Sequence, residues 1–191
     1  MNPANTVDFE INFKTDVNRI SVSNKTGYHT FFGAKNSDIN RIISITFEET
    51  GSHTIFIWKN NTSANGASSI VFNTYSTYNP QNKITISCIN DEWNVNGDKV
   101  GASESVGTWN DVNNTLVIFG SSRISNSQKN ITPLYENMYL YSLKIWDNET
   151  LIRDFIPVVS QESGHENEAC LYDLVNGEFY YNNGTGNFET N

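Results

Sequence analysis

YLYSLKIWDNETLIRDFIPV, residues Tyr139–Val158, decides the fold class. Two apolar runs, Leu143-Lys144-Ile145-Trp146 and Leu151-Ile152, are separated by the polar bridge Asp147-Asn148-Glu149-Thr150. A bridge that short forces the flanking runs to lie side by side and antiparallel. Pro157 is expected to end the second strand, because proline cannot donate to a strand ladder. Outward from this hairpin the same logic repeats. Val7, Phe9, Ile11 and Phe13 alternate with Asp8, Glu10, Asn12 and Lys14, the period of a strand with one wet face. Further apolar or alternating runs fall at residues 29–34, 41–47, 53–58, 69–75, 83–89, 115–119 and 138–146. Asn96-Gly97 and Asn176-Gly177 sit between such runs, and Asn-Gly favours a type I′ hairpin turn. No long window keeps apolar residues at helical spacing. The spacing predicts an all-β domain, a two-sheet antiparallel β-sandwich, with surface loops at 60–68, 121–132 and 160–168.

The chain of 191 residues fits one domain, 1–191, with residues 1–5 as a flexible tail. Its net charge of -9 leaves no basic stripe for phosphates or anionic lipid, so nucleic acid is excluded as a partner class. No stretch is apolar enough for membrane insertion, and the first residues lack the pattern of a secretion signal. Cys88 and Cys170 are too few for a disulfide scaffold and have no metal-ligand spacing, so they read as buried thiols.

Two C-terminal segments carry a resemblance. Tyr139–Val158, with Arg153, Asp154, Phe155 and Pro157, is similar to the strand-turn-strand pair of the concanavalin A-like, laminin-G-type domains. These domains are common in phage structural proteins and gut-bacterial surface proteins. Residues 169–188 resemble the closing segment of the same family through Leu171-Tyr172-Asp173, Asn176-Gly177, Phe179 and Gly184-Thr185-Gly186. Phe31-Phe32-Gly33-Ala34 and Trp93-Asn94-Val95-Asn96-Gly97 extend it upstream. The opening strand is shortened relative to the family, which leaves the sheet edge open as a place for oligomer contacts. The resemblance implies a jelly roll, and glycan recognition or virion assembly as its use.

Catalysis finds little footing. A retaining glucanase needs two carboxylates about 5 Å apart, whereas Glu48-Glu49 are adjacent and Asp91-Glu92 lie at a turn. His29, His53 and His165 have no zinc spacing, and no nucleophile elbow is present. Calcium is a possible cofactor, with Asp147, Asn148 and Glu149 as hard oxygen ligands; the competing reading of these three is a simple hairpin turn. Sugar recognition combines a ring that stacks on a pyranose with amides that bond its hydroxyls. Trp58 with Asn60 and Asn61, Tyr75, Tyr78, and Trp109 with Asn110 are the candidates, each with core packing as its rival. Trp93 and Trp146 are assigned to the core. The expectation is a noncatalytic attachment module. One setting is a bacteriophage virion component, a capsid decoration, head fibre or tail adhesin, that binds host-surface glycan or neighbouring virion proteins. The alternatives are the carbohydrate-binding domain of a bacterial surface adhesin or glycan-utilisation protein, and a glucanase-type hydrolase.

Overall fold

The computed structural model describes residues 7–15, 28–35, 41–48, 54–61, 69–73, 82–90, 92–102, 117–118, 120–125, 128–133, 138–184 and 188–190. All regular structure among them is strand. In chain order the strands are β1 (Val7–Thr15), β2 (Tyr28–Lys35), β3 (Arg41–Glu48), β4 (Thr54–Asn61), β5 (Ser69–Asn73), β6 (Ile84–Ile89), β7 (Glu92–Val95) and β8 (Asp98–Ala102). They continue with β9 (Val117–Ile118), β10 (Gly120–Ser125), β11 (Gln128–Pro133), β12 (Met138–Asp147), β13 (Thr150–Val159), β14 (Ala169–Asp173) and β15 (Glu178–Tyr180).

Eight strands form one antiparallel sheet in the order β15-β14-β13-β12-β1-β6-β7-β8. The other seven pair as β11-β10-β2-β3-β4-β5, with β9 also on β2. β10 runs parallel to β2 through Ser122 opposite Ala34 and Arg123 opposite Lys35, so this second sheet is mixed and not purely antiparallel. The chain alternates between sheets: β1, then β2 to β5, β6 to β8, β9 to β11, and β12 to β15.

The eight-stranded sheet has one apolar face, and register explains it. Phe155, Leu143, Ile11, Ile86 and Val95 stand in one row across five strands. Ile145, Phe9, Cys88 and Trp93 form a second row, and Leu140, Phe13 and Ile84 a third. Every one of these residues is buried. At about 1.5–3 kcal/mol for each large side chain removed from water, this face is the main stabilising feature of the sheet. Cys88 separates Phe9 from Trp93, and because its side chain is small the two rings meet over it edge to face, centroids 5.5 Å apart. Trp146, assigned to the core from sequence, is only half-buried. Ile145 faces inward, and the two-residue period of a strand turns its neighbour outward.

Three bulges let imperfect alternation fit this pattern. Leu140 and Leu143 are three residues apart, yet both are buried, because Asn12 pairs with Ser142 and Phe13 with Leu140, leaving Tyr141 as the extra, exposed residue. Ile152 and Val100 occupy the equivalent positions in β13 and β8.

Several expectations are corrected. Pro157 does not end its strand: β13 runs to Val159, and Pro157 pairs with Leu171 of β14. Pairing with β12 stops at Phe155, so past that residue one side of β13 asks for no donor. Within 121–132, expected as a loop, residues 121–125 and 128–132 are paired antiparallel strands of β10 and β11. Their residues are too polar for an apolar alternation to mark them. β1 is central, between β12 and β6, so the edges of its sheet are β15 and β8 and not the opening strand. Cys88 and Cys170 are buried thiols. They stand four strands apart, roughly 19 Å at the usual strand spacing, well beyond the reach of a disulfide.

Candidate binding site

The residues singled out from sequence are scattered. Trp58, Asn60 and Asn61 all lie in β4, Trp58 between Ser44 and Ser69 and Asn61 opposite Arg41. Tyr75, Tyr78, Trp109 and Asn110 lie outside the described residues. Asp147, Asn148 and Glu149 belong to the β12-β13 hairpin, where Asp147 pairs with Thr150. Its loop is therefore two residues long, not four. Asn148 and Glu149 both have positive φ, 50° and 61°, as a type I′ turn requires. Among the described residues no three His, Cys, Asp or Glu side chains are grouped to hold a metal ion.

The outer face of the eight-stranded sheet has two halves. Over β12, β1 and β6 it is mostly polar, with Trp146 opposite Asp8 and the Tyr139 ring under the Lys14 ammonium. Asn12 donates to Ser142 Oγ at 2.8 Å and accepts from the Thr85 hydroxyl, a ladder of side chains across three strands. Lys144 stands between Asp154 and Glu10 in the next row. Over β13, β14 and β15 the same face is apolar and aromatic. Ile156 is opposite Tyr172, and Tyr172 is opposite Phe179.

Four rings line this second half. Tyr172 and Phe179 meet at 4.8 Å between centroids. Phe179 and Tyr181 are 6.2 Å apart with planes 18° from parallel, close to the two-residue repeat of a strand. The His165 ring lies flat on Tyr181 at 3.9 Å and 16°. Tyr172, Phe179 and Tyr181 are half-buried and His165 is exposed. The hairpin that positions them turns through Leu174–Gly177, a four-residue loop in which only Gly177 has positive φ, 70°. The two-residue Asn176-Gly177 turn expected from sequence is thus not formed. Asp173 prevents it: its carboxylate Oδ1 accepts from Val175 N at 3.1 Å and Asp154 N at 3.0 Å, and its carbonyl accepts from Gly177 N at 2.8 Å.

His165 comes from the segment 160–168, which folds back on itself. Ser160 N donates to Glu168 O and Asn167 N donates to Ser160 O, both at 2.9 Å, closing the neck. Above the neck Glu162 N donates to Ser160 Oγ at 3.1 Å, and Tyr181 donates its hydroxyl proton to Glu162 Oε2 at 3.0 Å. Ser160 Oγ and Tyr181 OH are 2.9 Å apart; with the tyrosine proton committed to Glu162, the serine is the donor. His165 Nδ1 is 2.6 Å from Glu168 Oε2. The loop is pinned to the sheet through Tyr181.

This arrangement does not favour nucleophilic chemistry. Ser160 has no exposed surface. Burial, then the charge of Glu168, raise the Cys170 thiol above its ordinary range, with the backbone bond from Ser160 opposing and Glu162 adding to the rise; the reactive thiolate is disfavoured. Partial burial also raises the Tyr181 phenol; the bond from Ser160 lowers it, and the acceptance of its proton by Glu162, with that carboxylate's charge, raises it further. What the site offers is a row of ring faces and edges beside Glu162 and Glu168.

Sequence reasoning missed Tyr172, Phe179, Tyr181 and His165 as a group. The signal was available in Phe179-Tyr180-Tyr181: alternation sends Phe179 and Tyr181 to one face and Tyr180 to the other, where it packs on Phe155 at 5.1 Å. No protein family, no curated protein and no solved structure matches the chain.

Proposed function

We propose that this chain is a noncatalytic attachment module: a two-layer jelly-roll sandwich of the concanavalin A-like, laminin-G-like kind that binds glycan along the aromatic row of β14 and β15. The observation that carries the reading is the row itself, Tyr172, Phe179, Tyr181 and His165, set beside carboxylates at a sheet edge. Aromatic rings stack on the apolar faces of pyranoses, and carboxylates and amides accept from or donate to their hydroxyls. The net charge of -9 favours a neutral ligand over an anionic one. The sandwich is supported by the fully buried apolar face of the eight-stranded sheet, which needs a covering layer; we assign that role to the seven-stranded sheet. The two carboxylates nearest the rings are committed, Glu162 to Tyr181 and Glu168 to His165, which suits holding a ligand more than cleaving one.

The setting we favour is a phage particle that attaches to host glycan or to neighbouring virion proteins, on the strength of the resemblance of residues 139–158 and 169–188. A bacterial surface protein is the second setting. A glycan array tests the reading. The expected result is binding to neutral glycans without turnover, weakened about tenfold in Phe179→Ala, the loss of one stacking ring. Silence on a broad array, with the protein recovered from purified particles, would transfer the function to protein assembly. Cleavage of the bound glycan would make the chain an enzyme.

A further inference from the structure

The chain has 12 Lys and Arg against 21 Asp and Glu, yet two lysines meet at one end of the outer face of the eight-stranded sheet. Lys14 follows Phe13 in β1, and Lys83 precedes Ile84, the residue opposite Phe13, so register brings the two side by side. Phe13 and Ile84 are buried in the inner face, which turns both lysines outward. Like charges on neighbouring strands repel. Each of these is met by a ring and not by a carboxylate: Lys14 Nζ lies 5.1 Å from the centre of the Tyr139 ring, and Lys83 Nζ 4.9 Å from that of Tyr141. The ion pairs among the described residues, Lys99 with Glu92, Arg153 with Asp173 and His165 with Glu168, involve neither lysine.

The β12 bulge builds this place. Tyr141 is its extra residue, 41% exposed, and Lys83 is exposed beside it. Bulges commonly re-aim a side chain at a working surface. The neighbouring row is neutral, Thr85, Asn12 and Ser142 joined side chain to side chain. Ser142 accepts from Asn12 and retains its own hydroxyl proton to donate, and Asn12 retains a second amide proton. An ammonium over a ring face likewise keeps N–H donors. The net charge of -9 does not cancel the patch, because salt limits the field of an exposed charge to about 8 Å and the adjacent row carries none.

We infer that this end of the sheet is a binding site for an acidic sugar, a pyranose bearing a carboxylate, separate from the β14-β15 edge. Lys14 and Lys83 hold the carboxylate, Tyr141 gives the sugar ring an apolar surface, and Ser142 and Asn12 reach its hydroxyls. A carboxylate is preferred to a neutral group because it relieves the repulsion between the two ammonium groups. The site stands whether or not a neutral glycan binds at the edge.

Backbone amide NMR of the intact protein titrated with glucuronate tests it, with glucose as the neutral control and inorganic sulfate as the free anion. Glucuronate is expected to shift residues 12–14, 83–85 and 139–142, and glucose to leave them unmoved. Lys83→Gln and Tyr141→Ala, both at exposed positions, are each expected to weaken glucuronate binding about fivefold, and added salt to weaken it further. No glucuronate shift at these residues, or shifts confined to the β14-β15 edge, would overturn the inference and leave the reading of that edge standing. An equal response to glucose would overturn it by removing the role of charge. Sulfate bound as tightly as glucuronate, with Tyr141→Ala making no difference, would overturn it too, reducing the site to one for free anions.

Discussion

Asp173 has no exposed surface, yet it is a carboxylate at the inner face of a sheet, opposite Phe155. It is tolerated there because two backbone N–H groups point at Oδ1 and the Arg153 guanidinium lies 3.6 Å from Oδ2. The contact joins β13 to the β14-β15 turn. Replacement by alanine leaves two N–H groups without an acceptor, at about 1–3 kcal/mol each. Asp173→Ala is therefore expected to lose about 3 kcal/mol in denaturant unfolding, and Asp173→Asn, which keeps the Oδ1 acceptor, markedly less. Equal losses would show that the charge, and not the acceptor, holds the turn. Tyr181 makes a prediction in pH. Its folded-state value is raised, so the proton is held more tightly in the folded protein. The associated stability is fully present below the ordinary phenol value of about 10 and is lost as pH rises through the folded value. Ultraviolet titration should show a late-ionising phenol that disappears in Tyr181→Phe; a curve above pH 10 that the substitution leaves unchanged would contradict the burial of Tyr181 and its contact with Glu162.

At the scale of elements, hairpins were read from sequence well where a turn obeys local chemistry and poorly where a side chain intervenes. Asn96-Gly97 forms the expected two-residue turn, with φ of 53° and 88°. Nothing lies within 4 Å of where a side chain at Gly97 would begin, so the requirement for glycine is conformational and not steric. Asn176-Gly177 has the same letters and a different turn, because Asp173 caps it. The β12-β13 turn reverses the lesson. Glu149, a poor residue for a positive φ, is held at 61° because the pairing of Asp147 with Thr150 leaves no other path. Glu149→Gly should relieve that strain, and after the entropy cost of glycine it should stabilise by about 0.5 kcal/mol, read as a rise of roughly 1–2 °C in Tm. A fall in Tm, or a Tm that rises with added calcium in the parent and not in the variant, would give Glu149 a ligand role instead. Strand existence was legible wherever apolar residues alternate, as in β1 and β6. It was illegible in β10 and β11, where Gly120–Ser125 and Gln128–Pro133 have few apolar side chains to alternate.

Across the whole molecule, sequence separation hid the site. The aromatic row depends on a fold-back of 160–168 that places His165 on Tyr181, sixteen positions away, and periodicity within one segment does not report such a contact. The order of strands was hidden for the same reason: Val7 pairs with Asp147, and this long-range closure puts the first strand in the middle of its sheet. That placement also leaves β15 at an edge, with its outer face and the 160–168 loop turned toward whatever the protein meets. The proposed function places a glycan at this edge. Backbone amide NMR of the intact protein, titrated with the glycan that an array identifies, tests it most directly. Shifts confined to residues 160–168, Tyr172 and 179–184 are the predicted result. Shifts centred on Trp58, Asn60 and Asn61, with the β14-β15 edge unmoved, would contradict it.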